Sequence, residues 1–264
     1  MIRDLIESSK KIVIKIGTNA LANDDGTINI NRVYNLSQQI SHLIKEGKQI
    51  VIISSGARIA GLATLGKWKL KDDMHYKQAL CAIGQVELMN AYRKTFREHD
   101  IHIGQLLLNR EDFYNYKRTI NIGNTLFTLL DEGVIPIIDE NDTVSVKEIK
   151  TEDNDTLAAY TSKLWNADLL IFLGDTDGIY NKNPKEYTDA KLLEEVENID
   201  ELDKMIQTGE LDEIGTDDII SKMNAAKTLN DCNTPVIIAN GKVENILLKL
   251  LEGKAKATVL RDIK

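Results

Sequence analysis

Short apolar runs alternate along the chain with longer stretches whose apolar residues recur at helical spacing. The run 12–16 predicts a buried strand, and the apolar positions of 31–46 share one face of a helix that ends before Gly47. Further strands are predicted at 50–53, 101–108, 134–138, 169–173, 235–239 and 257–260, and further helices at 73–98, 121–132, 156–165, 219–229 and 243–251. Such an alternation predicts an α/β fold with a parallel sheet covered on both faces.

The least regular stretch, 181–218, is rich in charged residues, and we expect turns and short elements there. It is expected to separate two lobes of one domain, because no repeat or low-complexity linker divides the chain. The predicted organisation is a single domain over 1–264, with an N-terminal lobe of about 1–165 and a C-terminal lobe of about 166–264.

Composition narrows the class of protein. The chain has 264 residues, 42% hydrophobic and 28% charged, which is enough apolar content for a folded core. The formal net charge of −8 opposes binding to nucleic acid or to anionic lipid. No apolar run is long enough to span a membrane, and the N-terminus lacks the apolar core of a signal peptide. Cys81 and Cys232 form no CxxC pair, which indicates reduced thiols and a cytoplasmic protein.

Ligands of open parallel sheets bind beyond the carboxyl ends of the strands, so the residues after each predicted strand are candidates for function. Lys15 and Gly17 offer an ammonium group and a backbone N–H to an anion, although a tight turn with a solvated lysine explains them equally well. Ser55 and Gly56 would let a ligand approach the backbone closely. A serine-capped turn between strand and helix is the alternative.

Carboxylate and amide groups cluster at two other positions. Asp142 lies in the polar stretch 139–143, where it could hold an ammonium group or organise a metal ion, or could belong to a solvated loop. Asn154 and Asp155 precede the predicted helix 156–165. A helix cap needs only one such residue, so the run of three polar residues at 153–155 indicates a second role.

Two further segments fit a nucleotide. Gly174 and Asp175 begin a tight loop after the strand 169–173, suited to a sugar or base or to a plain turn. Ser221 and Lys222 lie near the start of the helix 219–229, where a phosphate site or a surface helix start is possible. The chain contains neither the GxxxxGK[ST] loop nor the protein-kinase motifs, and its histidines have no zinc-binding spacing.

Taken in order, these segments resemble the amino-acid kinase family. The matching strings are KIGTNAL, IISSGARIAGL, AIGQVELM, GQLLLNREDF, IPIIDENDTV, DNDTLAA, DTDGIYNKNP and SKMNAA. The pair ENDTV and DNDTLAA resembles the branch that phosphorylates the side-chain carboxylate of L-glutamate, rather than those acting on acetylglutamate, aspartate or uridylate. The resemblance implies a three-layer α/β/α sandwich around a mainly parallel sheet. It also implies synthesis of L-glutamate 5-phosphate from ATP with Mg²⁺, the first step of proline biosynthesis.

The resemblance also implies residue roles. Lys15 and Lys222 would stabilise the transferring phosphoryl group, and Asp155 would orient both lysines. The implied glutamate-binding residues are Ser55, Gly56, Asp142 and Asn154. The implied nucleotide-binding residues are Lys15, Gly17, Gly174, Asp175, Thr216, Asp217, Asp218, Ile219, Ile220, Ser221 and Lys222. Gly17 and Gly56 would direct backbone N–H groups towards phosphates. No residue is assigned to Mg²⁺, which is expected to be held mainly by the phosphates of ATP.

The chain departs from the family pattern at three places. Asp217 and Asp218 replace a pair of glycines in the nucleotide loop, where carboxylates would repel phosphate. Either these side chains turn to solvent, or a Mg²⁺ ion bridges them to phosphate, or ATP binding is weak, and our hypothesis is the third. Arg58 replaces an apolar residue, and Glu152 replaces a glycine. Two alternatives follow: a kinase of the same fold acting on another small carboxylate or phosphate, and a catalytically silent regulatory protein.

Expectations about partners come from the same resemblance. The acyl-phosphate product is labile, so a glutamyl phosphate reductase is an expected recipient, and family members commonly form homo-oligomers. Neither a nucleic acid nor a membrane partner is expected. Relatives often carry a C-terminal RNA-binding domain of the PUA type, and a chain that ends at Lys264 is expected to lack it.

Overall fold

An eight-stranded sheet forms the centre of the protein. The computed structural model describes residues 1–23, 25, 27–66, 73–144, 154–182, 184, 186–207 and 216–261. Its strands are β1 (Lys11–Ile16), β2 (Gln49–Ser54), β3 (His102–Leu108), β4 (Val134–Glu140), β5 (Leu169–Gly174), β6 (Glu195–Val196), β7 (Val236–Asn240) and β8 (Ala257–Leu260). Their order is β3-β4-β2-β1-β5-β7-β8-β6, and every neighbouring pair is parallel except β7 and β8.

Helices cover both faces of this sheet. They are α1 (Ile2–Ser8), α2 (Thr18–Leu21), α3 (Ile30–Lys45), α4 (Ala57–Leu65), α5 (Met74–Arg97), α6 (Tyr116–Asp131), α7 (Asp155–Trp165), α8 (Ile199–Gln207), α9 (Thr216–Leu229) and α10 (Ile246–Leu251). One core cluster joins the sheet to α1, α2, α3, α5 and α10, and a second joins it to α6, α7, α8 and α9. The predicted three-layer α/β/α sandwich around a mainly parallel sheet is therefore confirmed.

The alternation of side chains along β1 determines where its lysine points. Ile12, Ile14 and Ile16 belong to the first core cluster, whereas Val13 belongs to the second. Since successive side chains of a strand face opposite sides of the sheet, Lys15 lies on the same face as Val13. That face carries α7 and α9, so the fold directs the lysine towards those two helices.

Two glycines allow α4 and α5 to pack closely. A Cβ atom added to Gly84 would lie 1.7 Å from the carbonyl oxygen of Ala57, and one added to Gly61 would lie 2.0 Å from that of Leu80. Contacts this short exclude any side chain at either position. The close packing fixes the turn between β2 and α4 against α5.

The predicted elements correspond to observed ones, with three kinds of difference. Helix α6 begins at Tyr116, five residues before the predicted start, because the side chain of Asn115 caps it by accepting from the backbone N–H of Arg118. Helices α1, α2, α4 and α8 were not predicted. Strand β8 runs antiparallel to β7, the one antiparallel pair among the described strands of the sheet.

The thiols of Cys81 and Cys232 are both free. Among the helices of the described ranges, none combines the length and the apolar composition that crossing a bilayer requires.

Candidate active site

A single carboxylate joins two lysines at the centre of the sheet's carboxyl edge. Asp155 is the first residue of α7, and its Oδ1 atom lies 2.7 Å from the Nζ atom of Lys15 on β1. Its Oδ2 atom lies 3.3 Å from the Nζ atom of Lys222 on α9. The structure therefore brings together the three residues expected to perform catalysis, from three separate elements.

This group is withdrawn from solvent. The side chains of Lys15, Asp155 and Lys222 are 10%, 3% and 4% exposed. Burial works to raise the pKa of Asp155, but the ammonium groups of Lys15 and Lys222 outweigh burial and hold that pKa below its ordinary value. Burial likewise works against the charge of Lys222, yet Asp155 and Asp218 raise its pKa. Asp155 is thus an anion and Lys222 a cation at neutral pH.

The amide of Asn154 organises the neighbouring pocket. Its Nδ2 atom donates to Ser55 Oγ at 2.9 Å, to Asp139 Oδ1 at 2.8 Å and to the carbonyl oxygen of Ser54 at 3.2 Å. Asn154 is the N-cap residue of α7, but its side chain makes no capping bond. The side chains of Asn154 and Asp155 thus both make contacts other than a helix cap.

Asp139, at the end of β4, is a buried acid beside that pocket. It accepts from Asn154, from the backbone N–H of Glu140 at 2.8 Å and from the amide of Gln85 on α5. Burial, together with the charge of Asp142, raises the pKa of Asp139 to about 7 despite these donors. Gln85 in turn accepts from Gln105 Nε2 at 2.8 Å, so a chain of amides supports the acid.

Asp142 lies half-buried in the turn after β4. Burial raises the pKa of the Cys81 thiol, and the Asp142 carboxylate, which accepts a hydrogen bond from that thiol, raises it further. The charges of Asp139 and Arg58 also act on the Cys81 thiol, so these side chains lie near it. The charge of Asp142 also acts on Asp139, which contacts Asn154, and the role of Asp142 in binding glutamate stays a prediction.

One expectation about the glycines is wrong. The backbone N–H of Gly17 donates to the carbonyl oxygen of Leu173 at 2.9 Å, so it extends the sheet and does not point at an anion. Gly17 also lies close to β5, because an added Cβ atom would come within 3.2 Å of the carbonyl oxygen of Leu173. Gly56 has φ +112, a left-handed conformation that favours glycine, at the sharp turn into α4.

The expected nucleotide segments lie on the other side of Lys15. Gly174 ends β5, and the exposed Asp175 accepts from Asn19 Nδ2 at 3.1 Å. Helix α9 supplies the half-buried residues Ile219, Ile220 and Ser221 as well as Lys222. Thr216 and Asp217 begin this helix, and their side chains lie outside the described part of the chain, as do residues Glu152, Asp153 and Gly215.

No group of three or more His, Cys, Asp or Glu side chains is arranged to hold a metal ion within the ranges that the structure describes. The buried acid Asp155 has both oxygens engaged by lysines. That a Mg²⁺ ion is held mainly by the phosphates of ATP stays a prediction.

Sequence reasoning assigned no individual role to two residues that contact the site residues: Asp139, which belonged to the candidate stretch 139–143, and Gln85. Asp139 and Glu140 extend the apolar run 134–138, and both are buried. Acidic residues are seldom buried, so acids that directly continue a buried strand indicate side chains that face a site. This pattern in the sequence was the signal that pointed to Asp139. Gln85 gave no such signal, because it lies 54 residues from Asp139 on a separate helix.

Comparisons with known proteins agree with this geometry. The sequence profile of the Amino acid kinase family matches residues 10–240. A protein named glutamate 5-kinase from Alkaliphilus metalliredigens is 63% identical over 261 residues, covering 99% of both chains. Another of the same name, from Alkaliphilus oremlandii, is 61% identical over 98% of both chains. The crystal structure of UMP kinase from Ureaplasma parvum has a TM-score of 0.67 at 16% identity, covers 96% of this chain and 99% of that one, and shows the fold alone.

Proposed function

We propose that this chain, which belongs to the amino acid kinase family and within it to the glutamate 5-kinases, transfers the γ-phosphoryl group of ATP to L-glutamate. The acceptor is the side-chain carboxylate, and the products are L-glutamate 5-phosphate and ADP. In this role the enzyme catalyses the first step of proline biosynthesis. The observation that carries the proposal is the sharing of Asp155 by Lys15 and Lys222, directly beside the pocket formed by Asn154 and Ser55.

For this reaction the protein must align the glutamate carboxylate with the γ-phosphoryl group and neutralise the negative charge of the phosphates. A carboxylate oxygen of glutamate forms a bond to the γ-phosphorus, and the bond from phosphorus to the bridging oxygen breaks with its electrons remaining on ADP. The nucleophile is already ionised, since a glutamate side chain titrates near pH ~4.3, so no general base is needed. Two anions must meet, and the ammonium groups of Lys15 and Lys222 would neutralise the phosphoryl oxygens between them.

Asp155 contributes by holding these two cations in place. Without its carboxylate, the ammonium groups of Lys15 and Lys222 would repel each other in a buried site. Its lowered pKa keeps it ionised, so its carboxylate can hold both ammonium groups directed towards the phosphoryl group. Asp155 is thus a positioning residue, whereas the two lysines act on the reacting atoms.

For glutamate we propose a pocket formed by Ser55, Gly56, Asp142 and Asn154. The Ser55 hydroxyl and the Asn154 amide are already fixed to each other at 2.9 Å, so the pocket is organised before substrate binds. The Asp142 carboxylate is suited to the substrate's ammonium group. Gly56 lets the backbone approach the substrate closely at its left-handed turn.

For the nucleotide we propose contacts with Gly174, Asp175 and the first turns of α9. ATP would bring Mg²⁺ with it, and the ion would neutralise phosphate charge while the lysines align the transferred group. This assignment places the glutamate pocket in an N-terminal lobe of about 1–165 and the nucleotide site in a C-terminal lobe of about 166–264. Lys15 lies between the two ligands.

The experiment that tests this function is a hydroxamate assay, in which hydroxylamine traps the acyl phosphate. With ATP and Mg²⁺, L-glutamate should give hydroxamate and an equal amount of ADP. Acetylglutamate and aspartate should give little hydroxamate, and uridylate should release no ADP. Stronger activity with one of those three would identify a different kinase of the fold. Binding of ATP without any product would identify a silent regulatory protein.

Three further properties follow from the proposed chemistry. We propose that the labile acyl phosphate passes to a glutamyl phosphate reductase and that the enzyme acts as a homo-oligomer. The free thiols of Cys81 and Cys232 favour a cytoplasmic location. Sedimentation of the enzyme alone and with such a reductase tests the first two properties.

A further inference from the structure

The ammonium group of Lys222 pairs with a second carboxylate besides that of Asp155. Asp218, one turn earlier on α9, forms an ion pair with the Lys222 ammonium through its Oδ1 atom. The aromatic ring of Phe172 lies 5.7 Å from the same ammonium group. The cation expected to meet the transferring phosphoryl group is therefore enclosed by two acids and one ring.

Asp155 and Asp218 differ in how easily their contact with Lys222 can be broken. Asp155 is 3% exposed and is also held by Lys15, whereas the side chain of Asp218 is 50% exposed. Solvent can replace the contacts of Asp218 at little cost, because exposed ion pairs are weak. Asp218 is thus the partner that an incoming anion can displace.

The charges of the cluster also favour replacement of Asp218 by a phosphate of ATP as the partner of Lys222. Lys15 and Lys222 together carry two positive charges, and Asp155 and Asp218 carry two negative ones. With all four in contact the cluster has no net charge and little attraction for the phosphates of ATP. When Asp218 turns away, one positive charge remains in a poorly solvated site, where its attraction for phosphate is strong.

We propose that Asp218 is a positioning residue that occupies the Lys222 ammonium while the nucleotide site is empty and yields it to a phosphate oxygen when ATP binds. The inference deepens the proposed kinase function and rests on it. Asp218 keeps the lysine directed into the site between turnovers, and the competition makes ATP binding weaker than the two lysines alone would give.

A purely structural role for Asp218 is the alternative. As the third residue of α9, its charge also lies near the positive end of the helix dipole. Loss of that interaction would lower the melting temperature without tightening nucleotide binding. A measurement of nucleotide affinity therefore distinguishes the two roles: competition of Asp218 with phosphate for Lys222, and stabilisation of α9 by Asp218.

The test compares Asp218→Asn, Asp218→Glu and the control Asp200→Asn in the full chain. Asp200 is 85% exposed and lies 3.7 Å from Lys227, another lysine of α9, so its change removes the same charge away from the site. Calorimetry without glutamate measures binding of the β,γ-imido analogue of ATP and of ADP, both with Mg²⁺. Because glutamate is absent, a failed hydroxamate assay would overturn the proposed function without affecting this result.

Asp218→Asn should bind the imido analogue about three- to tenfold more tightly than the wild type, as expected for release of a partly exposed ion pair. The gain should be smaller for ADP, which lacks the γ-phosphoryl group, and it should shrink at high salt. Asp218→Glu restores the competing carboxylate and should bind within about twofold of the wild type. In turnover, KM for ATP should fall in Asp218→Asn while KM for glutamate stays unchanged.

Unchanged or weaker binding of the imido analogue by a folded Asp218→Asn protein would overturn the proposal. An equal gain in Asp200→Asn would overturn it as well, because the effect would then come from net charge rather than from the contact with Lys222.

Discussion

The side-chain amide of Asn154 donates to the Oδ1 atom of Asp139 at 2.8 Å, and this contact joins the start of α7 to the end of β4. The same amide reaches Ser55 Oγ, so the orientation of Asp139 bears on the pocket proposed for glutamate. Burial leaves this acid with a pKa of about 7, within the range where cells and assays operate. The first two predictions follow from this arrangement.

Asp139→Asn should change how stability depends on pH. The folded pKa of Asp139 is about 7, above its unfolded value, so unfolding releases a proton between about pH 4 and pH 7. Wild-type stability therefore loses up to about 2 kcal/mol from this group between pH 5 and pH 7. Urea titrations of wild type and variant at pH 5, 6, 7 and 8 measure the difference. A difference that stays constant with pH contradicts the account.

Gln85→Leu should weaken glutamate binding more than ATP binding. The substitution removes a donor to Asp139 Oδ2 and leaves that oxygen buried, which favours a rotated carboxyl group and a displaced Asn154 amide. We expect KM for glutamate to rise about three- to tenfold, which corresponds to the roughly 0.5–1.5 kcal/mol of one ordinary hydrogen bond. Gln105→Leu removes only the outer bond of the amide chain and serves as the control. Equal changes in both variants would argue against a role for the Asp139 contact.

Asp155→Asn should lower both turnover and stability. It leaves Lys15 without this carboxylate and Lys222 with only the half-exposed Asp218, and breaking a buried ion pair typically costs about 3–5 kcal/mol. Since the folded pKa of Asp155 is lowered, its stabilisation is present at neutral pH and is lost as the pH falls below about 4. The deficit in unfolding free energy should therefore be largest at pH 7 and shrink in acid. We expect kcat to fall about 10²–10³-fold. A deficit that grows in acid would contradict the assignment.

Gly17→Ala should reduce catalysis while the protein still folds. The backbone of Gly17 has φ −71, which alanine adopts readily, but the new methyl group would lie 3.2 Å from Leu173 O and 3.8 Å from Lys15 Nζ. Because 3.2 Å is closer than an ordinary contact, the backbone after β1 should shift by a few tenths of an ångström. The resulting displacement of Lys15, two residues earlier, should lower kcat/KM for ATP about tenfold. At Gly123 on α6 an added Cβ atom meets only ordinary contacts, at 3.8 Å from Leu164, so Gly123→Ala should leave activity unchanged. Steady-state kinetics of both variants checks this, and full activity in Gly17→Ala would refute it.

The sequence predicts the layers of this fold well because strands and helices bury different spacings of apolar residues. Strands such as β1 and β5 are apolar and fully covered, so their boundaries are predicted to within one residue. Short helices are harder to predict from the sequence than these strands. Helix α2 has only four residues, and α4 is rich in alanine and glycine, which gives no amphipathic period.

At the site, too, some features could be predicted from the sequence and others could not. Lys15, Asp155 and Lys222 follow from motif resemblance, and the alternation of β1 explains why Lys15 faces α7 and α9. The contact between Lys222 and Asp218 was not foreseen, although the i,i+4 spacing on one helix permits it. The use of the Gly17 N–H in the sheet depends on the neighbouring strand β5, which a local motif does not reveal.

Hydroxamate formation by Lys15→Ala and Lys222→Ala, each compared with the wild type and with Lys163→Ala, tests the central claim most directly. Lys163 also lies on α7 with Asp155, but its side chain is 45% exposed and pairs with Asp231 at 3.7 Å, so its loss should leave turnover unchanged. The account predicts that wild type and Lys163→Ala form glutamyl hydroxamate at similar rates, while Lys15→Ala and Lys222→Ala lose about 10²–10³-fold in kcat. Wild-type rates in either of the latter two, as folded proteins, would contradict the claim that these paired lysines stabilise the transferring phosphoryl group.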